Sequence, residues 1–298
     1  MLELEKVTKI FNRNTVDEKI ALDQIDLKVT RGDFVTVIGS NGAGKSTLLN
    51  AIAGTTLLDG GNIIIDGSDV THLPEHKRGK WIGRVFQNPL TGTAGEMTIE
   101  ENLSMALLRG KTRELRKGVT GEHRNIYCPM LQSLGLSLEN RLNERVGLLS
   151  GGQRQALAIL MATVTLPRLL LLDEHTGSLD PKTALLVLDL TERIVHDNNL
   201  TTLMVTHNIH HSIRYGNRLL MMHEGRIILD AGGKEKSALT LEEVIERFSP
   251  ILPSHSEGEG TGEGGGPAAS PPRQRGKESL LIRRDATLLP QGAREGLF

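Results

Sequence analysis

Nine consecutive residues have the types and spacing to hold a chain of phosphates: Gly39, Ser40, Asn41, Gly42, Ala43, Gly44, Lys45, Ser46 and Thr47. They lie between the apolar runs 34–38 and 48–53, so the pattern predicts a loop that joins a buried strand to a helix. Glycines let successive backbone N–H groups turn inward, and the helix N-terminus adds partial positive charge. Lys45 would bridge the β- and γ-phosphates, and the Ser46 hydroxyl would hold Mg²⁺. An ordinary glycine-rich turn is the alternative, which the G-x-x-x-x-G-K-S pattern disfavours.

A pair of carboxylates follows a second buried strand. Asp173 and Glu174 come directly after the leucine run 169–172, and parallel sheets present ligand-binding residues at the carboxyl ends of their strands. Asp173 suits a Mg²⁺ ion, usually through water, and Glu174 suits polarising the water that attacks the γ-phosphate. Taken alone the pair could simply be solvated. Together with a phosphate loop, it predicts a site that binds and hydrolyses a nucleoside triphosphate.

A second anion-binding turn is formed by Ser150, Gly151, Gly152 and Gln153 at the predicted start of a helix. One nucleotide does not need two such turns in one subunit. Here the chain resembles the ATP-binding-cassette ATPases, in which this signature loop closes over the γ-phosphate held by a partner subunit. The resemblance covers about residues 1–250, and it implies ATP and Mg²⁺ as cofactors.

The same resemblance implies roles for four further residues. Phe11 would stack on adenine, although a plain core phenylalanine fits as well. Gln87, otherwise a turn residue before Asn-Pro, would contact the metal and the water and link the ATPase core to its helical part. Asp180 would lie on the loop that crosses between the two subunits. His207 would sense the γ-phosphate and orient Glu174, whereas a lone strand-end histidine is more often structural.

Three longer runs, 32–41, 83–87 and 173–183, look like the ATPase subunits of bacterial uptake transporters of the tryptophan/tyrosine type. Gly177 and Ser178 depart from the Ala-Ala pair expected there, which leaves the mechanism unchanged because all four residues are small. The cargo stays open, because an ATPase subunit does not touch it.

The elements that must position these residues alternate between strands and helices. We expect an α/β fold: the phosphate-loop NTPase domain of the cassette type, with an N-terminal antiparallel β part, a mostly parallel core sheet and a helical signature subdomain at about 88–160. The pattern Thr98 to Glu101 is typical of a capping box that opens a helix. The ATPase domain is predicted to span 1–252. Residues 253–298, rich in glycine, proline and arginine, are predicted to be a disordered tail.

Composition narrows the functional classes. The 35 basic residues nearly balance the 36 acidic ones, so no global charge favours nucleic acid as a partner. The longest apolar stretch, 156–166, is about half of a bilayer span, and the N-terminus lacks the order of a secretion signal. The single cysteine, Cys128, excludes an intrachain disulfide and fits a reducing compartment. We therefore expect the protein to remain in the cytosol, and the resemblance implies that it lies at the cytoplasmic face of the membrane, held there by a permease.

The resemblance predicts an ATP hydrolase that pairs with a second ATPase subunit, most simply an identical one, and drives an integral membrane permease. The surface at about 91–100 would face that permease, and a solute-binding protein could complete an importer. The alternative is a non-transport ATPase of the same family acting on a soluble macromolecular complex. A nucleotide-binding regulator without turnover conflicts with the presence of Glu174 and His207.

Overall fold

The computed structural model describes residues 1–111 and 118–248. The strands in these ranges are β1 (Leu2–Phe11), β2 (Lys19–Val29), β3 (Phe34–Gly39), β4 (Gly60–Ile65), β5 (Ser68–Asp69), β6 (Ile82–Val85), β7 (Leu169–Asp173), β8 (Thr201–Val205), β9 (Arg218–His223) and β10 (Arg226–Gly232). The α-helices are α1 (Lys45–Ala53), α2 (Glu75–Arg78), α3 (Ile99–Leu107), α4 (Gly121–Gln132), α5 (Gly151–Thr163), α6 (Pro181–Asp197), α7 (Ile209–Arg214), α8 (Lys234–Ala238) and α9 (Leu241–Phe248). Short 3₁₀ turns lie at Leu138–Asn140 and Val146–Leu148.

Two sheets divide the strands. The larger sheet has the order β10-β9-β3-β8-β7-β6, and all its neighbours are parallel except the β9–β10 hairpin. The smaller sheet, β2-β1-β4-β5, is antiparallel. Because β3, β6, β7 and β8 run in the same direction, the loops that follow them meet at one edge of the sheet. That edge carries the candidate site.

The strand β7 explains why the larger sheet sits in the middle of the domain. Leu169, Leu170, Leu171 and Leu172 are all fully buried. Leu170 and Leu172 pack with residues of α5 and α6 on one face, and Leu169 and Leu171 pack with α1 and the antiparallel sheet on the other. A strand covered on both faces needs an unbroken apolar run, which this sequence supplies.

The predicted helical signature part contains α3, α4 and α5, and the two 3₁₀ segments lie between α4 and α5. Thr98 caps α3 as the sequence predicts: its hydroxyl accepts the Glu101 N–H, and the Glu101 carboxylate accepts the Thr98 N–H. Tyr127, Met130 and Leu131 of α4 join the same core as α3 and α5.

The α/β fold class is confirmed by the two sheets and their covering helices. The domain limits 1–252 and 88–160 stay a prediction, and the predicted tail 253–298 lies outside the described residues. Within the described ranges, no helix combines the length and the apolar character that a bilayer crossing requires.

Candidate functional site

The predicted phosphate loop connects β3 to α1, as expected from the sequence. Lys45 is the first residue of α1 and is 6% exposed. Its ammonium donates to the carbonyl oxygens of Gly39 at 2.8 Å and Ser40 at 3.0 Å, so the side chain lies under the loop it would serve. Burial lowers the pKa of Lys45 below its ordinary value, while the carboxylates of Glu174 and Asp173 oppose that shift.

One glycine of the loop cannot be replaced without rearrangement. Gly44 is the N-cap of α1 with a left-handed backbone, φ 101°. A Cβ atom there would collide with the carbonyl oxygen of Ala21 on β2. The loop therefore needs glycine both for its conformation and for the close approach of the neighbouring strand.

A pocket of about 250 Å³ opens above this loop. The residues that line it are Phe11, Lys19, Ala21, Asn41, Gly42, Ala43, Gly44, Lys45, Ser46, Thr47 and Glu174. Phe11 is 39% exposed, as a ring available for stacking would be. Lys19 and Ala21 were missed by the sequence analysis. Lys19 reaches the pocket because β2 pairs with β1, where it lies opposite Phe11, and no local motif reports that pairing.

Asp173 and Ser46 face each other at the end of β7. The Ser46 hydroxyl lies 3.5 Å from Asp173 Oδ1, at the limit of a hydrogen bond. Burial raises the pKa of Asp173 above its ordinary value, and the nearby Arg84 guanidinium acts against that rise. A hydroxyl and a carboxylate oxygen are hard donors of the kind Mg²⁺ takes, so these residues fit the predicted ion.

Glu174 and His207 also meet at this edge. His207 Nδ1 lies 3.4 Å from Glu174 Oε2. The Glu174 backbone is left-handed, φ 44°, and its N–H donates to the Val205 carbonyl at 3.0 Å. Gly177 lies between His207 and Gln87. A Cβ built on Gly177 would be 3.5 Å from His207 Cε1 and 3.6 Å from Gln87 Nε2. The structure thus brings Gln87, Glu174 and His207 together around one turn.

His175, the residue after Glu174, points away from the pocket into the core. It is 1% exposed, and its Nε2 lies 3.2 Å from the Thr191 hydroxyl. That hydroxyl donates its proton to the Val187 carbonyl, so Nε2 carries the hydrogen in this pair. Burial lowers the pKa of His175 to about 4.

The predicted signature loop opens α5. Ser150 is the N-cap: its hydroxyl accepts the Gln153 N–H at 3.3 Å, and its own N–H donates to Gln153 Oε1 at 3.2 Å. Gly151 and Gly152 pack close to Leu179 and Thr183, at the start of α6. Among the described residues that line the pocket above the phosphate loop, none belongs to the signature loop 150–153.

Asp180 lies beside this loop and also caps a helix. Its carboxylate accepts the Thr183 N–H at 3.1 Å at the start of α6. Ser178, two residues earlier, has its hydroxyl 3.5 Å from the Gln87 carbonyl. The turn 177–180 thus connects Gln87 to the signature loop.

Fold and site together define a phosphate-loop nucleotide hydrolase. Comparison with known proteins gives the family: the ABC transporter family matches residues 22–177, and the chain belongs to it. The chain is an ATP-binding and ATP-hydrolysing subunit of an ABC transporter, which confirms the resemblance seen in the motifs.

Three similar proteins illustrate this membership. The chain is 44% identical over 248 residues to the tyrosine transport ATP-binding protein of Clostridioides difficile, covering 83% of this chain and 98% of that protein. It is 33% identical over 276 residues to a phosphonates import ATP-binding protein of Haloquadratum walsbyi, covering 88% of this chain and 83% of that protein. Among solved structures, a dimeric ATP-binding cassette in a post-hydrolysis state, bound to ADP and Pi, matches with a TM-score of 0.67 and 29% sequence identity. The match covers 78% of this chain and 98% of that chain.

Proposed function

We propose that this subunit powers the uptake of an amino acid or a similar small solute through a separate membrane permease, to which it binds at the cytoplasmic face. The observation that carries the mechanism is the meeting of the phosphate loop, Asp173, Glu174 and His207 at one sheet edge. The tyrosine transport relative, alike over nearly its whole length, supports the class of cargo.

The proposed roles follow from these positions. ATP occupies the pocket, with its adenine against Phe11 and its phosphates among the amides of 39–47 and the Lys45 ammonium. Ser46, Asp173 and Gln87 would hold Mg²⁺, which would neutralise phosphate charge. Glu174 accepts a proton from the attacking water, and His207 orients Glu174.

A second copy of the chain completes each site. The Ser150 and Gln153 amides are bonded to each other's side chains in the helix cap, whereas the Gly151 and Gly152 amides take no part in that cap. All four residues lie at a helix start, outside the pocket of their own chain. We propose that they contact the γ-phosphate bound to the partner, with Asp180 at the same boundary. The dimeric arrangement of the related cassette bound to ADP and Pi supports this pairing.

The permease contact is proposed at a groove of about 980 Å³ between α2, β6 and the end of α3. Lys80, Trp81, Phe86, Thr91 and Gly92 are among its lining residues. Thr91 and Gly92 begin the surface at 91–100 that the resemblance assigns to the permease. A wide groove with an exposed rim suits a short helix of a partner chain.

The test is capture of the assembly from detergent-solubilised membranes with an affinity tag on the Glu174→Gln variant, in the presence of ATP. We expect this variant to bind ATP and to lose turnover, because proton transfer from the water is removed while the phosphate contacts stay. A polytopic permease in the eluate supports transport, and a solute-binding protein beside it supports uptake. A soluble assembly without any membrane protein would support the alternative, a non-transport ATPase. Near-normal hydrolysis by the variant would remove Glu174 from its role.

A further inference from the structure

Arg84 lies between the groove and the candidate site. It belongs to β6, and Ile82, Arg84 and Phe86 alternate along the face of this segment that lines the groove. The Arg84 guanidinium lies over the Phe86 ring, 4.6 Å from its centroid, and the side chain is 11% exposed. The guanidinium therefore forms part of the groove wall.

The same guanidinium reaches the metal-site carboxylate. Its Nη2 lies 3.5 Å from Asp173 Oδ2 and donates to Asn50 Oδ1 of α1 at 2.6 Å. The second oxygen of Asp173, Oδ1, faces the Ser46 hydroxyl. The two oxygens of one carboxylate are thus divided between the phosphate-loop serine and the arginine of the groove.

The Arg84 charge is poorly solvated in this position. Its Nε is buried and has no hydrogen-bond partner among the described residues. A buried guanidinium depends on its ion pair, since desolvation is costly without a partner. Movement of Arg84 by a chain seated in the groove would therefore move, or release, the Asp173 carboxylate.

We propose that Arg84 is a positioning residue that holds Asp173 for the nucleotide-bound metal and transmits occupancy of the groove to it. The inference rests on the proposed placement of Mg²⁺ at Ser46 and Asp173. The chain taken to fill the groove is the permease of the proposed function. The coupling is reciprocal, so metal binding must also change the environment of the groove.

The first experiment measures binding of the non-hydrolysable analogue AMP-PNP to the full-length protein, with Mg²⁺ and with EDTA. Arg84→Met should weaken binding by about tenfold or more in Mg²⁺, in the range found when partners of metal ligands are removed, and leave binding in EDTA unchanged. Arg84→Lys, which keeps the charge, should retain part of the increase in AMP-PNP affinity that Mg²⁺ causes. Lys80→Met is the matched control, because Lys80 lines the same groove and packs on the Trp81 ring.

The second experiment uses Trp81, the single tryptophan of the chain, as a reporter inside the groove. Addition of Mg²⁺ to the protein loaded with AMP-PNP should shift the Trp81 emission in the wild type and in Lys80→Met. In Arg84→Met that response should be lost. Because AMP-PNP is present throughout, the response reports the metal.

The outcomes separate the two proposals. If Mg²⁺ does not strengthen AMP-PNP binding to the wild type, the proposed metal placement falls and the inference falls with it. If wild type and Arg84→Met respond equally to Mg²⁺, only the role of Arg84 is overturned. If Arg84→Met weakens AMP-PNP binding equally in Mg²⁺ and in EDTA, the effect is generally structural and the positioning role is overturned. A wild-type Trp81 emission that does not change on addition of Mg²⁺ would also overturn it.

Discussion

At the scale of single residues, the candidate site already holds its groups close to where phosphates would need them. Lys45 hydrogen-bonds the carbonyls of its own loop, so its ammonium sits inside the curve of the backbone rather than in solvent. Transition-state charge is stabilised best by groups that need no rearrangement when it develops. Lys45 is therefore the residue whose loss should cost most in phosphate neutralisation.

We predict that Lys45→Ala lowers ATP turnover by about 100-fold or more, the range found when a charge-stabilising donor is removed. Phosphate release under steady-state conditions measures the change. Lys28→Ala is the control, because Lys28 is a 71% exposed residue that pairs with Glu3 on the antiparallel sheet. Equal rates for wild type and Lys45→Ala would contradict the assignment of the cradle.

A second prediction concerns Lys236 on α8, which is 3% exposed. Its ammonium donates to the carbonyls of Tyr215 and Gly216, and burial lowers its pKa to about 8. Between about pH 8 and 10.5 the unfolded chain holds a proton that the folded chain has released, so the free energy of unfolding should rise with pH, by about 3 kcal/mol in total.

Urea denaturation at a series of pH values from 7 to 10 measures this effect. Lys236→Met should show a smaller rise than the wild type. Lys234→Met, a change in an exposed lysine of the same helix, should follow the wild type. Parallel pH curves for wild type and Lys236→Met would exclude the buried ammonium as the cause.

At the scale of elements, the carboxyl end of α5 depends on a side chain from outside the helix. Arg109, just after α3, donates to the carbonyls of Met161 and Ala162 at 2.9 and 2.8 Å. The last carbonyls of a helix have no hydrogen-bond partner within the helix. A cation at this end also interacts favourably with the negative end of the helix dipole. This one residue therefore ties α3 to the far end of the signature helix.

We predict that Arg109→Met lowers the free energy of unfolding by about 2 kcal/mol, because two carbonyls lose charged donors. Chemical denaturation measures the loss. Arg145→Met should stay within about 0.5 kcal/mol, since Arg145 pairs with an exposed Glu96 at the surface. A loss of similar size in both variants would mean that the contact to α5 is not what matters.

Sequence reasoning succeeded for elements whose signals are local. The phosphate loop, the leucine strand before Asp173 and the Thr98 cap are each encoded within a few neighbouring residues. Lys19 and Arg84 were missed because their positions arise from pairing between strands distant in sequence. Arg84 follows an ordinary strand pattern, and only the β6–β7 register places it against Asp173.

At the scale of the whole molecule, the pocket and the signature loop belong to different regions of one chain. Ser150 caps α5, and the next residues, Gly151 and Gly152, pack close to Leu179 and Thr183 at the start of α6, while the pocket lies over α1. A substitution at Ser150 should therefore leave nucleotide binding to the single chain intact and act on pairing alone.

We predict that Glu174→Gln with ATP and Mg²⁺ elutes as a dimer in size-exclusion chromatography, and that adding Ser150→Arg returns it to the monomer while AMP-PNP binding stays at the wild-type level. Thr98→Arg in the same Glu174→Gln background is the matched control, because Thr98 caps α3 with the same pattern and should leave the dimer intact. A dimer that survives Ser150→Arg would place the pairing surface elsewhere.

The separation of the signature loop from the pocket of its own chain also sets a rate law. If each working site needs loops from two chains, free subunits meet in a second-order step, and turnover per subunit falls on dilution. A permease that holds two copies side by side replaces this encounter with an intramolecular closure, at an effective concentration of about millimolar. Subunits synthesised in excess of their permease would then consume little ATP, and total ATP consumption would be proportional to the number of assembled transporters.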